Sequence, residues 1–160
     1  MNCFKTTIIA SMLLAANLAV AQMTPANGLN FKLGDDVATV KAALHTNQDP
    51  EQPESPFPVQ VPMQVQMKQV LHLRTKGITV TFGRKQVAEQ ILLDSPFAGS
   101  VAGIKLGDNE AKIRAVMGKP IKEPWTFGTN RFFLYALDDS AYIQFTVTED
   151  GGVQAIIIKK

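Results

Sequence analysis

Apolar and polar positions alternate along two stretches of this chain, and each stretch predicts three strands. Val70 to Leu73, Gly77 to Phe82 and Val87 to Leu93 are rich in β-branched and large apolar residues, and polar turns separate them. Gly83-Arg84-Lys85 reads as a hairpin turn. Phe132 to Leu137, Ala141 to Val147 and Val153 to Ile158 form a second set in the same order. Asp138-Asp139-Ser140 and Glu149-Asp150-Gly151-Gly152 supply its turns. Ahead of each set the hydrophobic period lengthens. Val37, Val40 and Leu44 stand at i, i+3 and i+7, and Ile113, Val116 and Met117 at i, i+3 and i+4, so each set is preceded by one short helix. Gly118 and Pro120 stop the second helix.

The two helices open copies of one motif. Phe31-Lys32-Leu33-Gly34-Asp35-Asp36-Val37-Ala38-Thr39-Val40-Lys41-Ala42-Ala43-Leu44 recurs 73 residues later as Ile104-Lys105-Leu106-Gly107-Asp108-Asn109-Glu110-Ala111-Lys112-Ile113-Arg114-Ala115-Val116-Met117, with six of the 14 positions identical. Each copy reads as a short strand, a turn at Gly34 or Gly107, and a helix capped by Asp36 or Asn109, whose side chains accept backbone N–H groups. A Gly-Asp step before a helix also invites comparison with anion-binding loops, but a carboxylate repels an anion and is ordinarily a cap. The expected fold is therefore α+β: two tandem repeats, each a short helix packed on an antiparallel meander. The first repeat spans residues 22–98 and the second 99–160, with the break in pattern at Asp94 to Val101. The copies differ at a proline-rich insert, residues 48–62, that holds Pro50, Pro53, Pro56, Pro58 and Pro62 around Phe57. Proline keeps this insert out of a central strand. It reads as a connector, or as a semi-rigid arm that presents Phe57 to a partner.

Residues 1–21 have a short polar start with Lys5, an apolar stretch from Ile8 to Val20, and Ala19-Val20-Ala21 at their end. That is the pattern of a signal peptide cleaved between Ala21 and Gln22, so the expected address is periplasmic or secreted. The apolar run is short of the roughly 20 residues that span a bilayer. The sole cysteine, Cys3, lies in the expected leader and ahead of its apolar run, which leaves the mature chain without disulfides, thiolate catalysis, cysteine-ligated zinc or a lipidated cysteine at the junction. Sixteen basic and 14 acidic residues among 160 give a net charge of +2, too even for a duplex-binding protein. Mean hydropathy near zero and moderate glycine and proline exclude collagen-like and wholly disordered classes.

Catalytic patterns are missing. His72 alternates with Leu71 and Leu73 and so faces away from them; His45 ends a predicted helix, and no HxxH or HxH pair exists. There is no GxSxG, SxxK, GxxxxGK[ST] or GxGxxG. Asp138 and Asp139 sit side by side in a predicted turn, where two carboxylates do not converge on one atom. The expectation is a protein that is not an enzyme, with no catalytic residues, cofactor or metal.

What stands out is aromatic. Trp125, Phe127, Phe132, Phe133, Tyr135, Tyr142 and Phe145 crowd into 21 residues around Arg131. Alternation puts Phe133 and Tyr135 on one face and Phe132 and Leu134 on the other. One face packs on the helix, and the other is free to meet a partner through residue types common at binding hot spots. The expected protein-binding residues are Trp125, Phe127, Arg131, Phe133, Tyr135, Tyr142 and Phe57, with Trp125, Tyr135 and Arg131 in one exposed patch and the proline-rich arm at its rim.

The run Ile104-Lys105-Leu106-Gly107-Asp108-Asn109, with Ile113, Met117-Gly118-Lys119-Pro120 and a meander ending in Gly151-Gly152-Val153, resembles the SmpA/OmlA (BamE-like) and beta-lactamase-inhibitory-protein-like superfamily. Its duplication over residues 28–160 looks most like the tandem-domain inhibitory proteins. The resemblance implies a secreted, non-catalytic module that binds another protein through its sheet, as an inhibitor or immunity protein. An accessory role in outer-membrane assembly is the alternative it implies, and a small periplasmic hydrolase or ligand carrier the one outside that class. Two departures are plain: the inhibitory proteins carry disulfides, and BamE-type proteins are single-repeat lipoproteins.

Overall fold

Alternation in sequence becomes alternation of burial in the strands. Ile78, Val80 and Phe82 are buried while Thr79 and Thr81 between them are half-exposed, and Ile143 and Phe145 are buried where Tyr142 and Gln144 are not. The computed structural model describes residues 29–52 and 68–160. The expected leader, Phe57 and the insert beyond Gln52 lie outside the described residues.

Among the described residues two helices, α1 (Val37–Ala43) and α2 (Glu110–Met117), accompany nine strands: β1 (Gln69–Leu73), β2 (Ile78–Phe82), β3 (Ala88–Leu93), β4 (Ser100–Val101), β5 (Ile104–Lys105), β6 (Trp125–Phe127), β7 (Asn130–Ala136), β8 (Tyr142–Val147) and β9 (Val153–Lys159). Seven strands form one antiparallel sheet in the order β1-β2-β3-β9-β8-β7-β6, and β4 pairs with β5 as a separate hairpin. The fold is α+β, mostly antiparallel sheet with two helices. The central seam pairs Ile91 with Ile158 and Leu93 with Ile156, all buried. Val40 and Leu44 of the first helical segment, Ile113 of α2, Val101 and Ile104 of the small hairpin, and Phe31 and Phe97 complete one core on one side of the sheet.

At seven and eight residues, neither helix is long enough to stand alone in water, so caps and packing hold them. The Thr39 N–H donates to Asp36 Oδ1 at 2.7 Å, and the Lys112 N–H donates to Asn109 Oδ1 at 2.9 Å. Lys76 Nζ, on the single 3-10 turn between β1 and β2, donates to the Leu44 carbonyl at the end of α1. The neighbouring acids do a different job. Asp35 Oδ2 accepts from the Lys32 N–H at 2.9 Å and Asp108 Oδ2 from the Lys105 N–H at 2.8 Å, closing the two glycine turns. Each turn is then stitched to a strand start. Gly34 N–H donates to Ala88 O and Ala88 N–H to Asp35 O, while Gly107 N–H donates to Val153 O and Val153 N–H to Asp108 O, all at 2.8 Å.

The structure departs from expectation at three places. Residues 31–33 form no strand, whereas the equivalent Ile104–Lys105 does, because β4 lies beside it as a partner. Strand β6 extends the sheet past β7, with Trp125 opposite Phe132 and Phe127 opposite Asn130. The β1–β2 connection is a 3-10 turn closed by Gly77 in the left-handed region, at φ 63°.

Gly77 and Gly107 both have positive φ but differ in surroundings. A Cβ on Gly77 would stand 2.1 Å from Asp94 O and 2.5 Å from Phe97 N, whereas one on Gly107, at φ 86°, meets nothing within 4 Å. Gly107→Ala should cost the roughly 1–2 kcal/mol of a left-handed backbone, and Gly77→Ala clearly more, since backbone must move. Urea unfolding of the two variants checks this; equal losses would contradict it.

The caps differ in chemistry, which gives a pH signature. Hydrogen bonds from Thr39 hold the Asp36 carboxyl below its ordinary value of 3.8. The folded chain therefore binds this proton less readily than the unfolded chain, so the cap's contribution is complete above 3.8 and is lost as pH falls through the lower folded value. Asn109 has no such proton. Cα chemical shifts followed into acid should show Val40 of α1 losing helical character before Ile113 of α2, and Asp36→Asn should abolish the difference.

Candidate functional site

Both helices belong to the core that fills one side of the sheet, so the strands' other positions point outward. The register aligns Trp125 with Phe132, Phe132 with Thr146, and Thr146 with Ala155. A second outward row runs Leu134, Gln144, Ile157, Leu92, Thr79, His72, and a third runs Ala136, Tyr142, Lys159, Gln90, Thr81, Val70. Most of these side chains are half-exposed. Trp125 stacks on Phe132 with ring centroids 5.3 Å apart, and Lys122 Nζ sits 3.7 Å above the Trp125 ring. Phe127, at 79% exposure, and Tyr142, at 42%, project furthest. The result is an apolar field of Trp125, Phe127, Phe132, Leu134, Ile157 and Leu92 that runs from β6 across to β3, with Gln144 between Leu134 and Ile157.

Of the seven residues expected at one surface, the six that are described are not together. Trp125, Phe127 and Tyr142 do face outward. Phe133 and Tyr135 are buried, at 0% and 3% exposure, and the expectation that they are exposed is corrected. The reason is pairing: Phe133 lies opposite Phe145 and Tyr135 opposite Ile143, both fully buried, so these rings complete the core. Arg131 shares their face. It donates from a guanidinium N–H to Glu110 Oε2 at 2.8 Å, and Arg114 Nε donates to Glu110 Oε1 at 2.8 Å. Both guanidinium carbons lie 5.4 Å from the Phe133 ring centroid, so a carboxylate of α2 holds two cations over one aromatic ring. Bonding to Glu110 raises the Arg114 pKa further. Arg131 therefore joins α2 to β7, away from the Trp125 surface.

Sequence reasoning did not assign Leu92 and Ile157 to this surface. Period-two alternation could have found them, once Ile91 and Ile158 were assigned to the core.

One open cleft of about 510 Å³ lies where the start of α2 meets the β6–β7 and β8–β9 turns, lined by Asn109, Glu110, Thr126, Thr129, Arg131, Thr148 and Glu149 among others. Its guanidinium is already engaged by Glu110. His72 Nδ1 lies 3.2 Å from Thr79 Oγ1 on the outward face, and His45 is exposed after α1. Among the described residues no three His, Cys, Asp or Glu side chains gather as a metal site, and no helix is long and apolar enough to cross a membrane.

No family model matches the chain, and no curated protein matches it in sequence. Among solved structures it is similar to a DUF4309 family protein, YjgB, from Bacillus subtilis subsp. subtilis str. 168, at 13% identity and a TM-score of 0.44, over 82% of this chain and 80% of that one. That degree of likeness assigns neither family nor activity.

Tyr135 carries the one orphaned side-chain polar atom in the described interior: its hydroxyl is buried without a hydrogen-bond partner, and desolvation raises its pKa. Tyr135→Phe should therefore leave stability unchanged or raise it by about 1 kcal/mol. Phe133→Ala should cost about 3–5 kcal/mol. Chemical denaturation of both variants checks the assignment of these rings to the core.

Proposed function

We propose that this chain is a secreted, non-catalytic module of two tandem helix–meander repeats that binds another protein through the outward face of its sheet. The observation that carries the reading is the one-sided placement of the core. An α+β sheet with helices on one face leaves the other to solvent, and solvent faces are ordinarily polar. Here the outward positions of β6 and β7 include Trp125, Phe127, Phe132 and Leu134, beside Asn130 and Ala136. Contiguous exposed apolar area of this kind marks an interaction surface.

The duplication is supported by the matching bonds around Gly34 and Gly107, by Asp36 and Asn109 as equivalent caps, and by isolated bridges of Asp36 to Val87 and Asn109 to Gly152. The sequence resemblance to SmpA/OmlA and beta-lactamase-inhibitory-protein-like modules agrees with this reading. An inhibitor or immunity protein is the role we favour.

Capture of a periplasmic partner by the tagged protein, repeated with surface and core variants, tests the proposal. Trp125→Ala should weaken capture by about 2 kcal/mol or more, with the melting temperature nearly unchanged. Phe133→Ala should lower the melting temperature instead. Turnover in a hydrolase screen, abolished by a single Ser or His substitution, would overturn the reading.

A further inference from the structure

The charges around the outward face are distributed unevenly. On β6, β7, β8 and β9 the outward positions carry one ionisable cation, Lys159, and no carboxylate. Lys122 adds a second ammonium above Trp125 at the other end of the apolar field. Two of the nearby acids are engaged elsewhere. Glu110 binds Arg114 and Arg131 on the opposite face. Asp138 accepts from the Ser140 N–H and hydroxyl within its own turn, at 2.7 and 3.0 Å. Towards β1 the pattern changes: Glu89, at the β2–β3 irregularity, faces Lys68 at 3.6 Å, and Glu51 pairs with Val70.

We infer that the occupant of the β6–β9 face is an acidic polypeptide surface, whose apolar side chains cover Trp125, Phe132, Leu134 and Ile157 while its carboxylates meet Lys122 and Lys159. The inference rests on the protein-binding reading and specifies its partner. Two ammonium groups flanking an apolar field favour a partner with the same layout and opposite sign, because rim charges steer encounter and reject like-charged surfaces. Phe127, the most exposed large apolar side chain among the described residues, stands at the tip of the β6–β7 hairpin and is placed to enter a pocket on that partner.

The test uses the full chain and a random glutamate–tyrosine copolymer as probe, with a lysine–tyrosine copolymer and phosphatidylglycerol–phosphatidylcholine vesicles as parallel arms. Binding is read from backbone amide shifts and from Trp125, the sole tryptophan. The glutamate copolymer should shift the amides of Phe132, Leu134, Gln144 and Ile157. Lys122→Glu with Lys159→Glu should weaken it about tenfold or more, roughly 1.4 kcal/mol. Lys105→Glu with Lys112→Glu, the same change in net charge away from this face, should leave it within about twofold. Equal weakening by both pairs, or shifts confined to another face, would overturn the proposal. Equal binding of the lysine copolymer to the same face would overturn the acidic partner and leave the protein-binding reading standing. Binding of vesicles alone, with neither copolymer bound, would remove both.

Discussion

The antiparallel seam between β3 and β9 governs the rest of this structure. Ile91 against Ile158 and Leu93 against Ile156 join a three-stranded meander to its four-stranded counterpart, and their side chains are buried in the core. Without that seam each half would be a small sheet with one very short helix, too little to bury a stable core. With it, both helices contribute to a common interior, and the two faces run through seven strands with register shifts only at Thr81/Phe82 and Thr146/Val147. Every side chain is then committed to the core face or the open face, because a one-residue slip in any strand would exchange the two.

That commitment explains why the helices are so short. Val40 and Ile113 each reach the core at full burial, and little else of either helix is buried. The helices act as lids, held by the Gly-Asp turns that bond to the starts of β3 and β9. Apolar coverage is extended by Phe31, Phe97 and the β4–β5 hairpin on the same side. Nothing among the described elements lies across the other face.

Much of the fold could be read from the sequence, because six strands and two helices each carry a hydrophobic period and end in recognisable turns. Strand β6 was not legible: Trp125-Thr126-Phe127 follows a proline and is too short to show a period. The seam was not legible either, since it pairs residues over 60 positions apart that are both simply apolar. The site was half legible. The excess of aromatics between Trp125 and Phe145 did mark the relevant half of the sheet. Which parity faced the core, however, depended on partners across the strands, and the hot-spot residue types drew attention to Tyr135 and Arg131. Both face the core side, where Tyr135 packs edge-on against Phe145 and Arg131 is bound by Glu110. Residue type therefore misled where register decided.

The open face itself shows what distinguishes the halves. On β1, β2 and β3 the outward residues are mostly His72, Thr79, Thr81 and Gln90, the usual way an antiparallel sheet meets water. On β7 and β9 the equivalent positions hold Phe132, Leu134 and Ile157, with Trp125 stacked beside them. The glycine turns are bonded alike to the starts of β3 and β9, yet the outward residues of the two sets of strands differ. Leaving large apolar side chains half in water gains less hydrophobic stabilisation than burying them, at roughly 25 cal/mol per Å2 of apolar area. The second half retains them nonetheless and places cations at their border. On the protein-binding reading proposed here, a partner covering this face relieves that exposure.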